Sequence, residues 1–191
     1  MVTRFSDQLV RLATGRNLLF LFLVFLLTTS VIFPLMSSLI DDPAGELEKI
    51  DTKLYYSSAE LYEILDAYGD QGRRVYALSH LTADVLFPLV YAFFFGLLIA
   101  YIFQRAFSKD SWVQRLNLVP FLLLIFDLIE NVSVVILLLA YPTQMAGLAR
   151  LTGLVTSVKW ILAGITVALP LLGVVGWFFR NLRGRSLGDS A

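Results

Sequence analysis

The sequence contains no cysteine and only one histidine, His80. The lack of thiols excludes disulfide bonds, thiolate metal sites and cysteine catalysis. A single imidazole excludes a multi-histidine metal or haem centre within one chain, so we expect no metal and no cofactor. The net charge is zero, and nucleic acid is therefore not expected as a partner. The sequence also lacks a Gly-rich phosphate loop, a G-x-S-x-G elbow and an H-E-x-x-H motif.

Charged residues are scarce as well, at 16% of the chain, whereas 58% of its residues are hydrophobic. Soluble domains have roughly 25% charged residues. The apolar excess lies in four runs, residues 17–40, 81–104, 116–141 and 151–179. Each run can cross a hydrocarbon layer about 30 Å thick as a helix. We predict an all-α integral membrane bundle of four transmembrane helices, forming one membrane domain over residues 1–191.

The basic residues predict the orientation of the chain. Nine Lys and Arg lie in the arm 1–16, the loop between the second and third spans, and the tail 180–191, against five on the other side. Basic residues concentrate in cytoplasmic loops, so both termini are expected in the cytoplasm. A compact, cysteine-free chain with short loops favours a bacterial plasma (inner) membrane.

The N-terminal arm has two interpretations. Phe5, Leu9 and Leu12 share one helical face, with Arg4 and Arg11 beside them. This pattern predicts a short interfacial helix, and a frayed basic tail is an equal alternative.

Residues 41–80 are predicted to form an extracytoplasmic helical segment. Ser57 and Glu60 have the spacing of a capping box, which starts a helix that should run to Tyr68 and stop at Gly69. The segment is either an interfacial cap or a lid over a cavity. Tyrosines suited to the membrane–water boundary are Tyr55, Tyr56, Tyr62, Tyr68 and Tyr76.

Ionisable residues interrupt two of the spans. Asp127 and Glu130 lie near the centre of the third span and are followed by Asn131, and Lys159 lies in the fourth. A charge at mid-bilayer costs at least about 2.5–3.5 kcal/mol on insertion scales, so such residues are candidates for function. The two spans are antiparallel and the depths of Lys159 and Glu130 agree within about 5 Å. We predict a contact of Lys159 with Glu130 or Asp127.

A second polar stripe enters the membrane with the second span. Its members, at helical spacing, are Arg73, Tyr76, His80, Asp84 and Tyr91. Pro88 has no N–H and should leave the carbonyl of Asp84 without its helical donor. Ala149, Gly153 and Ser157 form a small-residue seam in the fourth span, which predicts close packing.

The layout resembles that of the four-helix sterol-isomerase and sigma-2-receptor group. Shared features are a cytoplasmic N-terminus, a helical outer loop after the first span and membrane acids facing a central pocket. The residues that carry the resemblance are Asp84, Asp127, Glu130 and Trp160. The resemblance is one of layout and implies the fold, and no catalytic residue is carried over from it.

These observations predict a charged pocket between the second, third and fourth spans that binds a small amphipathic or lipid-like molecule. The expected ligand-binding residues are Asp127, Glu130, Asn131, Lys159, Thr156, Asp84, Tyr91, His80, Arg73 and Tyr76. One alternative is an enzyme acting on a lipid by acid–base chemistry, with Asp127, Glu130, His80 and Asp84 as catalytic candidates. Another is a subunit or assembly factor whose partner is a second copy or another membrane protein. Membrane lipid is an expected partner in every case.

Overall fold

The computed structural model describes residues 2–32, 34–35 and 50–188, and this part of the chain is helical without strands. Residues 33 and 36–49, which include the predicted end of the first span and the first nine residues of the predicted segment 41–80, lie outside the described residues. The helices are α1 (Val2–Leu12), α2 (Gly15–Leu27), α3 (Ser58–Ala67), α4 (Gly69–Leu81), α5 (Ala83–Ala106), α6 (Val119–Ala140) and α7 (Ala146–Gly188). A π-helical turn, Thr28–Ile32, continues α2, and a 3-10 helix, Trp112–Leu118, precedes α6.

Four helical stretches of the described chain are long and apolar enough to cross a membrane. They are Gly15–Ile32, Gly69–Ala106, Trp112–Ala140 and Ala146–Asn181. The predicted all-helical fold with four candidate spans is therefore confirmed. Large apolar side chains such as Ile161 and Leu171, 64% exposed each, are uncovered by protein on these helices, as expected of residues that face lipid.

The chain forms two compact units. Unit 1 comprises Met1–Leu23, Tyr91–Leu123 and Leu162–Ala191, and unit 2 comprises Val24–Val90 and Leu124–Ile161. In unit 1, α1 packs through the buried Leu9 against Leu97 and Ala100. The N-terminal arm is thus a docked helix rather than a frayed tail.

Helix α3 of unit 2 begins at the predicted capping box. The Ser57 N–H donates to Glu60 Oε2 at 2.7 Å, and the Glu60 N–H donates to the Ser57 hydroxyl at 3.2 Å. Hydrogen bonds to the Glu60 carboxylate, from the Ser57 backbone first and from its hydroxyl second, lower the pKa of Glu60. Gly69, the first residue of α4, has φ +62°, the left-handed conformation that favours glycine, and ends the helical path of α3. Both predicted ends of α3 are confirmed.

Most of the tyrosines expected at the membrane–water boundary lie in the core of unit 2 instead. Tyr55 is 49% exposed, but the other four, Tyr56, Tyr62, Tyr68 and Tyr76, are at most 8% exposed. They belong to one apolar cluster that joins α3 and α4 to the α6 residues Val134, Leu137 and Leu138. Packing of α3 against α6 encloses these four rings, and their depth relative to a membrane stays a prediction from the sequence.

The small-residue seam of α7 packs against an extended stretch of chain. A Cβ added at Gly153 would lie 2.3 Å from the carbonyl oxygen of Tyr56, which no side chain tolerates. The Ser157 hydroxyl donates to the Leu54 carbonyl at 3.0 Å. We call the stretch 53–57 the strap. The close packing is as predicted, but its partner is the strap.

The second span is not a continuous helix. Thr82 separates α4 from α5 with φ −121° and ψ −83°. Its N–H bonds to Ser79 O at 3.1 Å and its hydroxyl donates to Leu78 O at 2.8 Å, so local bonds replace the regular ladder. The break lies within the predicted stripe from Arg73 to Tyr91, although Tyr76, His80 and Asp84 stay in contact along it.

Candidate functional site

The ionisable residues of α6 and α7 meet in unit 2. Lys159 Nζ is in ion-pair contact with Glu130 Oε2 and lies 3.7 Å from Asp127 Oδ1. Glu130 is 1% exposed, whereas the side chains of Asp127 and Lys159 are 16% and 12% exposed. The predicted contact is confirmed, and we call these three residues the charged cluster.

A chain of hydroxyl groups reaches the charged cluster from the strap. Thr156 Oγ1 lies 2.5 Å from Glu130 Oε1 and 3.2 Å from the Tyr56 phenol, and 2.9 Å from the Thr152 carbonyl. The Thr156 hydroxyl has one proton, and a bond to a charged acceptor is the stronger choice. The Tyr56 phenol can then donate to Thr156, which donates to Glu130.

The charged cluster holds two carboxylates and one ammonium group. Glu130 is enclosed between Lys159 and Thr156, so its charge is balanced within the protein. Asp127 shares the same ammonium at longer range and is the most exposed member. With both acids ionised, one unit of negative charge is in excess, and a low-dielectric surrounding strengthens its attraction for a cation or a hydrogen-bond donor.

Asn131, the neighbour of Glu130, joins α6 to α5. Its Nδ2 donates to the backbone carbonyl of Asp84 at 2.6 Å. The Asp84 carbonyl was predicted to lack its helical donor, because Pro88, four residues later in α5, has no N–H. Asn131 is 4% exposed, so the bond replaces the missing helical one inside the protein.

The carboxylate of Asp84 lies beside His80. Its Oδ2 is 2.9 Å from His80 Nδ1 and accepts a hydrogen bond from the Ser79 hydroxyl at 3.3 Å. His80 is 1% exposed, and its ring lies edge-on to Tyr76 with centroids 4.8 Å apart. A carboxylate beside a buried imidazole fixes the orientation of the ring.

The remaining predicted site residues lie elsewhere. Arg73 donates to the Leu65 carbonyl at 2.8 Å, pairs with Asp70 and stacks 3.9 Å from the centroid of the Tyr141 ring. Arg73 is therefore part of the buried outer core of unit 2, where Tyr76 also packs. Tyr91 is buried and falls in unit 1.

Sequence reasoning missed two polar contributors, Tyr56 and Ser79. Tyr56 and Thr156 are 100 positions apart in the sequence, and no local sequence pattern predicts their contact. Ser79 and Asp84 are five positions apart, a spacing that does not share a face of a regular helix. The break at Thr82 brings them together, and neither Gly nor Pro marks that break.

In the described part of the chain, no three acidic or histidine side chains are grouped so as to hold a metal ion. No protein-family model, curated protein or solved structure matches this chain. The geometry of the two polar groups is accordingly the basis for assigning a function.

Proposed function

We propose that this four-span protein binds a small amphipathic, lipid-like molecule at the charged cluster. The proposal rests on a difference between the two carboxylates. Glu130 is buried and its charge is paired with Lys159, whereas Asp127 is partly exposed and shares the same lysine at longer range. A carboxylate that shares its counter-charge in a membrane span is costly, and a ligand that brings a further positive or hydrogen-bond-donating group to it lowers that cost.

The surroundings support a particular ligand chemistry. Lys159 Nζ lies 5.8 Å from the centroid of the Trp160 ring, which is 38% exposed, so an apolar ring borders the charged cluster. A ligand that fits both features has a cationic or hydrogen-bond-donating head group for Asp127 and an apolar tail that stays among acyl chains.

The test uses three probes with the same tail: tetradecylamine, tetradecanol and tetradecanoate, added at equal mole fraction to the protein in dodecyl maltoside micelles. A ligand at about ten times its Kd stabilises by about 1.4 kcal/mol. For a chain of this size we expect the amine to raise Tm by about 3–5 °C. The alcohol should raise it less, and the acid least.

Asp127→Asn should remove the advantage of the amine. The matched control is Glu63→Gln, which removes an exposed acid from α3 and should leave the advantage unchanged. Equal shifts with all three probes, in all three proteins, would mean that the amphiphiles act on the micelle alone and would overturn the proposal.

A membrane-embedded enzyme is the second candidate, favoured by the His80–Asp84 pair and by the Tyr56–Thr156–Glu130 chain. Both place a proton donor against a carboxylate, with His80 buried in the first and Glu130 buried in the second, and acid–base catalysis uses such a pairing. Protein reconstituted in a bacterial lipid extract should then convert one lipid with time. The conversion should be lost in Glu130→Gln and kept in Glu63→Gln, and an unchanged lipid profile would exclude this activity for the lipids present.

A subunit role predicts polar side chains that face outward. Glu130 and Asn131 turn inward instead, so they give this role no support. A membrane-protein partner or a second copy stays a prediction from the sequence.

The orientation with both termini in the cytoplasm is also proposed, on the distribution of basic residues. The chain has no cysteine, so single-cysteine variants report position directly. Gln8→Cys should react with an impermeant maleimide only in inverted vesicles, and Leu54→Cys, at a site 68% exposed, only in right-side-out cells. The opposite pattern would reverse the orientation.

A further inference from the structure

Hydrogen bonds that the sequence pattern did not predict hold helix α1 against the rest of unit 1. The Ser6 hydroxyl donates to Asn117 Oδ1 at 2.9 Å, and Asn117 Nδ2 donates back to the Ser6 carbonyl at 3.2 Å. Gln104 Nε2 donates to the Val10 carbonyl at 3.2 Å. Ser6 and Asn117 are 3% and 0% exposed, so this reciprocal pair fixes the rotation of α1 about its axis.

The fixed rotation determines what α1 presents outward. Arg4 and Arg11 are seven residues apart, share the face opposite Ser6, and are exposed. On the flank, Phe5 is 36% and Leu12 51% exposed. Basic residues beside exposed apolar ones are typical of a helix that lies in the head-group region of a membrane.

The 3-10 helix that receives α1 has the same character. Trp112 is 68% exposed, and Lys109 and Arg115 on either side of it are exposed. The described side chains of unit 1 include seven basic residues and two acidic residues, and all nine are exposed. We call Arg4, Arg11, Lys109 and Arg115 the basic cap.

We propose that the basic cap, held in place by the Ser6–Asn117 pair, binds the phosphate groups of anionic phospholipids. The occupant follows from charge and from the neighbouring groups. Clustered basic residues attract anionic head groups, and exposed Trp, Phe and Leu side chains suit the adjacent interface. Each basic residue near an anionic surface contributes roughly a five-fold preference. This inference concerns unit 1 and is independent of the ligand proposed for the charged cluster.

The test measures lipid preference by electron spin resonance. Full-length protein is reconstituted in equal parts of phosphatidylcholine and phosphatidylglycerol, and the motionally restricted fractions of spin-labelled phosphatidylglycerol and phosphatidylcholine are compared. We expect a preference for phosphatidylglycerol that weakens at high salt. Arg4→Gln/Arg11→Gln should lower it at least about five-fold. Arg74→Gln/Arg150→Gln, which removes two exposed arginines of unit 2, should leave it unchanged.

Two further variants separate geometry from charge. Asn117→Ala keeps every charge but removes both bonds to Ser6, and it should also reduce the preference. Arg4→Lys/Arg11→Lys keeps the charge on a docked helix and should retain most of it. Equal retention of the two lipids by the native protein, or an equal loss in the Arg74/Arg150 control, would overturn the proposal. A native preference in Asn117→Ala would overturn the role of docking.

Discussion

Replacing Lys159 by methionine removes the only ammonium group of the charged cluster and keeps a side chain of similar length. Two carboxylates are then left without their partner, and one of them, Glu130, is 1% exposed. Removing one partner of a buried ion pair costs about 3–5 kcal/mol. A single hydrogen bond between membrane helices averages only about 0.6 kcal/mol. The measured loss of stability therefore distinguishes a broken buried ion pair from a lost hydrogen bond.

Glu130→Gln should cost less than Lys159→Met. The glutamine oxygen can still accept the bond from Thr156, and Lys159 keeps Asp127, 3.7 Å away, as a counter-charge. We expect a cost of about 1–3 kcal/mol, that of a disturbed buried hydrogen bond. The double variant Lys159→Met/Glu130→Gln should be more stable than Lys159→Met alone, because only one carboxylate is then left uncompensated.

The free energy of unfolding can be measured by titrating dodecyl maltoside micelles with dodecyl sulfate while following the far-UV circular dichroism. The exposed Lys109→Met is the matched control and should stay within about 0.5 kcal/mol of the native protein. If Glu130→Gln proves the more damaging single change, or if the two costs simply add, the charges are not coupled as the geometry requires.

Two further predictions concern hydrogen bonds at α5 and α3. Asn131→Leu leaves the Asp84 carbonyl without a donor and should cost about 1–3 kcal/mol, and adding Pro88→Ala, which supplies the missing N–H, should restore much of it in the same titration. The pKa of Glu60 is lowered from 4.5 by its bonds to Ser57, so the capping box stabilises above about pH 4.5 and loses that effect as the pH falls through the lowered pKa. Glu60→Gln should therefore show a smaller loss of stability on acidification, and an identical pH dependence would contradict the assignment.

The sequence predicted the site where covalent spacing controls the outcome. Lys159 and Glu130 meet because two antiparallel spans with a short connection place them at equal depth. Pro88 was predicted to leave the Asp84 carbonyl without its helical donor, and such an acceptor must be satisfied in the membrane. That Asn131 supplies the donor was not predicted.

The sequence did not predict features that depend on packing between distant segments. In the sequence, nothing distinguishes Tyr56 from the adjacent Tyr55. Tyr56 is buried and Tyr55 is exposed because the strap approaches Gly153 closely at Tyr56. The break at Thr82 has no glycine or proline to mark it. Neither feature has a periodic signal, so neither can be inferred before the partners are known.

The strap also has a consequence for how a ligand would arrive. The Leu54 carbonyl is hydrogen-bonded to Ser157 of α7, and the Tyr56 carbonyl packs against Gly153. The strap therefore covers Glu130 on that side. Asp127, with 16% of its side chain exposed, is the most accessible member of the charged cluster, and a molecule bound there would arrive laterally from the acyl chains. Its effective concentration would then be set by partitioning into the bilayer, and two compounds of equal intrinsic affinity would differ in potency according to their solubility in lipid.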